Sequence, residues 1–304
     1  MFNRGARIRA RVWCFTPNPV FETKFEAISG RVVSSAGGKA HNVARQLHRW
    51  GVTAISVICD GGAGGEAWMA HAKKEGVKVM QIPVQTGMRQ GWALLKEGVE
   101  RIDFFTEDLK IGKSGWRKIR DFWIQNCKSG DWWVVAGSSA TGSPKGWWIK
   151  LISDLQKKGV TVLVDSRGAP LREAVAAGAD WIKCNLEEAE ETTGLQGFEQ
   201  CVRSLTGDGT TGVVVTLGKE GLVAEVNGTP FLIRVPKVKV GDATGSGDVV
   251  TAAVIYGEVF NWPIAQTLQR AAIEGTLHAM EENKLSTLNL ASCKNELDLS
   301  QIDY

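Results

Sequence analysis

Apolar positions along this chain switch repeatedly between two spacings. Short runs rich in β-branched and aromatic residues cover 10–16, 54–59, 77–84, 132–136, 160–165, 181–184 and 213–217. Between and after them lie segments with helical spacing: one carrying Val43, Ala44, Leu47 and Trp50 on a single face, then 66–75, 145–157, 170–177, 186–193 and 249–256. Three further stretches read as hairpins: 20–35 around Gly30, 90–95 with 101–105 around Glu97-Gly98, and the return to Val226 after Gly218-Lys219-Glu220-Gly221. Strands alternating with helices predict an α/β protein with a mostly parallel sheet and helices on both faces. Ligands in such sheets sit at the carboxyl ends of the strands. The polar residues just past those ends are therefore candidates: Asn18, Ser138, Asp165, Asn185, Thr216 to Lys219, and Asp248. No repeat or low-complexity linker divides the chain, so a single domain over 1–304 with a small β appendage is expected.

The run Gly241-Asp242-Ala243-Thr244-Gly245-Ser246-Gly247-Asp248 leads straight into the apolar helix pattern from Val249. Gly245 and Gly247 allow successive amides to point into one concavity, and a helix N-terminus favours an anion there. A carboxylate beside an anion hole repels a resting phosphate, yet suits a group that takes a proton while a phosphoryl arrives. The plain alternative is a Gly-rich loop with Asp248 as a helix N-cap. A second turn of this kind, Gly37-Gly38-Lys39-Ala40-His41-Asn42, opens the first helix.

Composition narrows the classes. The 304 residues are 43% hydrophobic and 23% charged, as in a globular protein with a sizeable core. A net charge of +3 with no basic, aromatic-interleaved run argues against nucleic acid as a partner. No apolar segment is long enough for a membrane span, and the Arg-rich start is followed by only a short apolar run, so a cytoplasmic protein is expected. The six cysteines are scattered, supporting neither zinc nor a disulfide framework. The 12 Trp, several adjacent, suit core packing.

Two other glycine motifs fail on their second requirement. Gly62-Ala63-Gly64-Gly65-Glu66-Ala67 fits a relaxed dinucleotide fingerprint, but 77–85 lacks the acidic residue that would hold a ribose. Gly112-Lys113-Ser114 looks like the end of a Walker A loop, but Glu107 stands where its first glycine belongs.

Four motifs in order, Gly37 to Asn42, Asn185-Leu186-Glu187-Glu188, Thr216 to Gly221 and Asp242 to Asp248, resemble those of the PfkB (ribokinase-like) carbohydrate kinase family. The opening Thr16-Pro17-Asn18-Pro19, with Gly137-Ser138 and 162–171, looks most like the 1-phosphofructokinase and tagatose-6-phosphate kinase branch. The resemblance implies a ribokinase-like three-layer α/β/α sandwich with a β lid formed by about 21–35 and 88–106. It implies Asp248 as general base, and the amides of Gly245, Ser246 and Gly247 as the cradle of the transferring phosphoryl. ATP would run along Lys183, Asn185, Thr216, Gly218, Lys219, Thr244 and Gly247. Asn185 and Glu188 would face a hydrated Mg²⁺, and Asp242 would help hold a monovalent cation. The acceptor, a small-molecule sugar or sugar phosphate, would meet Asn18, Glu22, Gly37, Gly38, Asn42 and Ser138, with Lys39 and Arg89 pairing to a phosphate it already carries. A homodimer through the lids is a further expectation.

Plainer roles stay open: a helix cap for Asn185 and Glu188, an exposed turn lysine for Lys219, a solvated lid residue for Arg89, a loop brace for Asp242. Three acceptor-side positions also depart from the branch: Glu22 stands for an Asp, Ala40 for a Gly whose missing Cβ would leave more room for ligand, and Gly91 for an Asn. A kinase for an unphosphorylated sugar or nucleoside, a sensor that has lost catalysis, and a dehydrogenase built on Gly62 to Ala67 are the alternatives.

Overall fold

A computed structural model of the chain describes residues 10–60, 62–85, 87–95, 102–241 and 243–280, and the backbone of 299–300. In chain order its first half holds β1 (Val12–Thr16), β2 (Val20–Glu26), β3 (Val32–Gly37), α1 (Lys39–Arg49), β4 (Ala54–Asp60), α2 (Ala63–Lys74), β5 (Lys78–Pro83), β6 (Arg89–Leu95), β7 (Ile102–Phe105) and α3 (Lys113–Asn126). Next come β8 (Trp132–Ala136), α4 (Trp147–Gln156), β9 (Thr161–Asp165), α5 (Ala169–Ala176), β10 (Trp181–Asn185), α6 (Leu186–Thr193), α7 (Phe198–Leu205) and β11 (Gly212–Thr216). The chain ends through β12 (Leu222–Val226), β13 (Thr229–Ile233), α8 (Ser246–Val259), α9 (Ile264–Ala279) and β14 (Leu299–Ser300).

Ten strands form one sheet in the order β14-β13-β12-β11-β10-β9-β8-β1-β4-β5, parallel from β11 to β5 and antiparallel beyond β11. Period-two alternation divides its side chains between two cores. In β1, Trp13 and Phe15 join the cluster that includes Trp116, Trp123, Trp133 and Trp148 from one face. Val12 and Cys14 join the opposite cluster, with Val43 and Leu47 of α1, Val250 and Ile255 of α8, and Leu268 of α9. The sheet is thus the middle of three layers, in a ribokinase-like α/β arrangement, and its inner strands, such as β1 and β8, are buried on both faces. The tryptophans fill the core as edge-on stacks, Trp123 against Phe15 at 5.1 Å and against Trp133 at 5.6 Å between ring centroids. Cys14, Cys59, Cys127, Cys184 and Cys201 are free, buried thiols; the expectation for Cys293 lies outside the described residues.

The hydrophobic pattern missed five elements. In α3 the buried Trp116, Ile119 and Trp123 fall at spacings of three and four, the signature of one helical face. Helices α7 and α9 and strands β13 and β14 were likewise outside the expected pattern. Gly62 and Gly112 are the N-caps of α2 and α3, the plain structural role of both decoy motifs.

A second sheet, β3-β2-β6-β7, stands apart from the first. β2 pairs antiparallel with β3 and parallel with β6, and β6 pairs antiparallel with β7. The expected turn at Glu97-Gly98 lies outside the described residues. One face of this sheet carries Glu22 and Lys24 into the cleft below. The other exposes Phe25, Val32, Trp92, Leu94, Ile102 and Phe104 to solvent.

Candidate active site

Strand order reverses around β1: the chain moves to β4 on one side and later returns to β8 on the other. That switch point opens a crevice at the carboxyl ends of the parallel strands. Asn18 after β1 and Ser138 after β8 straddle it, the Asn18 amide donating to Ser138 Oγ at 3.0 Å and to Asp108 at 2.8 Å. A cleft of about 1400 Å³ extends from here, under the second sheet, to the N-terminus of α8. Every described residue that the family resemblance assigns to the site lines it: Asn18, Glu22, Gly37, Gly38, Lys39, Asn42, Arg89 and Ser138 toward the second sheet, with Lys183, Asn185, Glu188, Thr216, Gly218, Lys219 and Thr244 to Asp248 toward the helix; of the strand-end candidates, Asp165 and Leu217 do not. Asp242 lies outside the described residues.

Helix α8 starts where the Gly-rich turn predicts. Gly245 is its N-cap in the left-handed region (φ 88°), a backbone conformation that a Cβ would strain. No side chain caps the helix, so the N-cap reading of Asp248 is corrected: it sits in the first turn, 4% exposed, with Asn42 Nδ2 donating to its Oδ2 at 2.7 Å. The Gly247 position brings Lys183 close, since a Cβ there would lie 2.8 Å from Lys183 Nζ. The three amides are not equally available. Ser246 N–H turns back to the Ala243 carbonyl at 3.0 Å, while Ser246 Oγ is buried with no hydrogen-bond partner among the described residues. A buried hydroxyl left without a partner at a helix N-terminus is what an anion in that concavity would satisfy.

Behind Asp248 stands a group of charges that the sequence did not order. Asp165, at the end of β9 and wholly buried, pairs with Lys183 at 3.1 Å and Lys39 at 3.5 Å, and accepts from the Thr251 hydroxyl at 2.7 Å. Lys39 also holds Glu188 Oε1 at 3.0 Å. Lys39, expected with Arg89 on a phosphate of the acceptor, is thus held here by two carboxylates. Arg89 lies instead at the base of the second sheet, 3.3 Å from Asp108 and stacked on the Phe105 ring at 4.2 Å. Asn185 and Glu188 form a reciprocal capping box at the start of α6, so the cap reading is the geometry observed.

These contacts set the protonation states. Burial and the nearby Asp165 push Asp248 up to about 6, against the Asn42 hydrogen bond and the Lys183 and Lys39 charges. Burial works on Asp165 in the same direction, but Lys183 and Lys39 outweigh it and hold that carboxyl below its usual range. Burial disfavours the Lys39 ammonium, yet Asp165, Glu188 and Asp248 together keep it well above the ordinary lysine value. The result is a buried acid that ionises near neutrality, next to two fixed cations.

Two departures noted in the sequence acquire local causes. Ala40 is fully buried in the core under α1 and does not line the cleft, so its methyl does not narrow the approach of a ligand. At Gly91 a Cβ would fall 2.8 Å from the Phe105 ring, so glycine there makes room for the ring on which Arg89 stacks. Glu22 does line the cleft. Neither Gly62 to Ala67 nor Gly112 to Ser114 reaches it. Among the described residues no three His, Cys, Asp or Glu side chains are grouped to enclose a metal. Glu188 has one oxygen on Lys39 and the other on the Asn185 amide, and both residues line the cleft, where they could face a hydrated divalent ion through water.

Three layers around a mostly parallel sheet, with a buried acid beside a glycine-rich helix start, define a kinase of the ribokinase-like class. Residues 17–279 match the model of the pfkB family of carbohydrate kinases, and the chain belongs to that family. Among curated proteins it is similar to a tagatose-6-phosphate kinase of Staphylococcus epidermidis, 24% identical over 256 residues that cover 82% of each chain. Among solved structures, phosphofructokinase-2 from Escherichia coli in a tetrameric inhibited form superposes with a TM-score of 0.82 at 23% identity, over 89% of this chain and 94% of that one. The same enzyme in complex with fructose-6-phosphate gives 0.81 at 22% identity, over 95% and 100%. A possible 1-phosphofructokinase from Thermotoga maritima gives 0.81 at 15%, over 96% and 100%. No helix among the described residues is long and apolar enough to cross a membrane.

Proposed function

We propose that this chain transfers the γ-phosphoryl group of ATP to a hydroxyl of a sugar phosphate, with a ketohexose phosphate the leading class. The observation that carries the reading is Asp248: a buried carboxyl that ionises near neutrality, set in the first turn of α8 beside Gly245 and Gly247. An acceptor hydroxyl over this carboxylate loses its proton to Asp248 as its oxygen attacks the phosphorus. The α8 N-terminus, the Ser246 hydroxyl and Lys183 balance charge on the moving phosphoryl. Asn185 and Glu188 would hold Mg²⁺ through water, and the ion would supply charge neutralisation on the nucleotide phosphates. Thr216, Gly218, Lys219 and Thr244 line the way the nucleotide would take. At the other end Asn18, Glu22, Gly37, Gly38, Asn42 and Ser138 orient the sugar, and Arg89 takes its phosphate. The second sheet acts as the lid that excludes water. Its exposed apolar face suits a second copy of the chain; sedimentation that finds only monomer at micromolar concentration would remove that homodimer.

The reading is tested by following ATP consumption across sugars and sugar phosphates, with and without Mg²⁺. Turnover on a phosphorylated ketose that needs Mg²⁺ supports it; no ATP consumption with any acceptor sinks it. An unphosphorylated sugar is the second reading, favoured by one observation: Lys39 and Arg89 already face carboxylates, Lys39 on Asp165 and Glu188 and Arg89 beside Asp108. Arg89→Ala separates the two, since it should raise KM for a sugar phosphate and leave a neutral sugar unaffected.

A further inference from the structure

Helix α1 carries His41, Asn42 and Arg45 within one turn, and the three belong to a single run of hydrogen bonds that leads away from Asp248. Asn42 Nδ2 donates to Asp248 Oδ2 at 2.7 Å. Arg45 Nη2 donates to Asn42 Oδ1 at 2.9 Å, and Arg45 Nη1 to Glu75 Oε1 at 2.9 Å. The other Glu75 oxygen meets His41 Nε2 at 2.8 Å, and His41 Nδ1 meets Ser56 Oγ at 3.0 Å.

Donor and acceptor types fix the direction of every link. A carboxylate only accepts, so Nε2 of His41 carries the hydrogen, and Nδ1 of the neutral ring accepts from the Ser56 hydroxyl. Burial favours that neutral ring, pressing His41 below its usual value despite Glu75. Burial alone would raise the Glu75 carboxyl, but His41 and Arg45 more than offset it and keep Glu75 ionised. A guanidinium only donates, so the Asn42 oxygen must face Arg45. The Asn42 amide hydrogens are then left for Asp248. Without Arg45, an amide turned by half a rotation about its last bond would offer an oxygen to the carboxylate instead.

We propose that Arg45, braced by Glu75 and His41, is a positioning residue for phosphoryl transfer: it sets the Asn42 amide so that a hydrogen-bond donor, and not an acceptor, meets Asp248. This rests on the reading of Asp248 as the base. The fold alone does not ask for such an arrangement. Arg45 is a quarter exposed and lines the cleft, where a solvated arginine would serve stability equally well. Glu75 is the C-cap of α2, so the device ties a helix outside the cleft to the reacting carboxylate. Of the other charged groups facing Asp248, Lys39 on α1, Asp165 on β9 and Lys183 on β10 keep their own partners whatever Arg45 does. His278 on α9 is turned to the Thr244 carbonyl.

The experiment is the pH dependence of kcat for Arg45→Ala, Glu75→Gln and Asp248→Asn beside the unaltered chain, with ATP, Mg²⁺ and the best acceptor. Arg45→Ala should lower kcat by ~10-fold and move the acid limb upward by about one pH unit, as loss of a hydrogen bond to a carboxylate requires. Millimolar guanidinium, but not equal sodium chloride, should restore part of the loss. Glu75→Gln keeps an acceptor for Arg45 and should give a smaller shift of the same sign. Should Arg45→Ala fail to fold, the Glu75→Gln limb decides. An acid limb unmoved in the variants, or a kcat loss that guanidinium does not relieve and that brings no shift, overturns the proposal. Full turnover in Asp248→Asn would instead remove the base on which it stands.

Discussion

The two ends of the cleft are built to different standards. At the α8 end the charged side chains around the helix start are fixed: Asp165 is wholly buried between Lys183 and Lys39, and Asp248 is gripped by Asn42. Tolerances there are small, since one methyl on Gly247 would meet Lys183 Nζ at 2.8 Å. Beneath the second sheet the charges are less enclosed, and Arg89 rests on an exposed Phe105 ring beside Asp108, which is itself 43% exposed. The difference teaches where the chemistry is committed and where choice among acceptors is left. Phosphoryl transfer needs pre-set charge and geometry, whereas recognition of an acceptor can be adjusted by one side chain on the second sheet.

The contrast predicts a graded series. Asp248→Asn should cut kcat by ~10³-fold with little change in KM, measured by ATP consumption. It should also stabilise the fold. Asp248 has its value raised to about 6 in the native state, so the native chain holds a proton that the unfolded chain releases near 3.8. Above about 6 its charge is therefore a cost to stability, relieved as the pH falls toward 3.8. Removing the charge should add about 2 kcal/mol at neutral pH, a higher Tm whose advantage disappears in acid. Gly247→Ala comes next: displacing Lys183 from the buried Asp165 should lower kcat by ~10² and lower Tm as well, and a normal kcat would show that the close approach is incidental. Arg89→Ala should raise KM for a phosphorylated acceptor by roughly 10-fold and alter kcat less. Glu22→Asp, one methylene shorter, should shift the ratio of kcat/KM between two ketose phosphates by ~3-fold. Phe104→Glu, on the outer face of the second sheet, should leave kcat alone and change only the sedimentation of the protein. Equal losses at both ends of the cleft would erase the distinction.

Much of the α8 end was legible in the sequence because backbone requirements are written in residue type. Glycines at 245 and 247 before an apolar run mark a helix start, and Asn185 with Glu188 three residues later marks a capping box. The charge cluster was not legible. Lys39, Asp165 and Glu188 are far apart in the chain, and only parallel pairing of β9 with β10, plus the docking of α1, brings them together. Asp165 was visible only as a polar residue ending a strand. Arg45 carried no local signal, because its partner Glu75 belongs to another helix. In the fold, α3 carries helical spacing at Trp116, Ile119 and Trp123, but its start, Gly112-Lys113-Ser114, has the look of a loop motif. The parallel pairing of β2 with β6 is non-local, and hairpin signals cannot announce it.

The most direct test of the account is the pH dependence of kcat for the unaltered chain at saturating ATP, Mg²⁺ and acceptor. The buried carboxyl predicts a single acid limb with its midpoint at about 6, rising to a plateau toward neutral pH, and absent from the residual activity of Asp248→Asn. A rate that stays level through this region, or a limb that survives in the asparagine variant, would contradict Asp248 as the base.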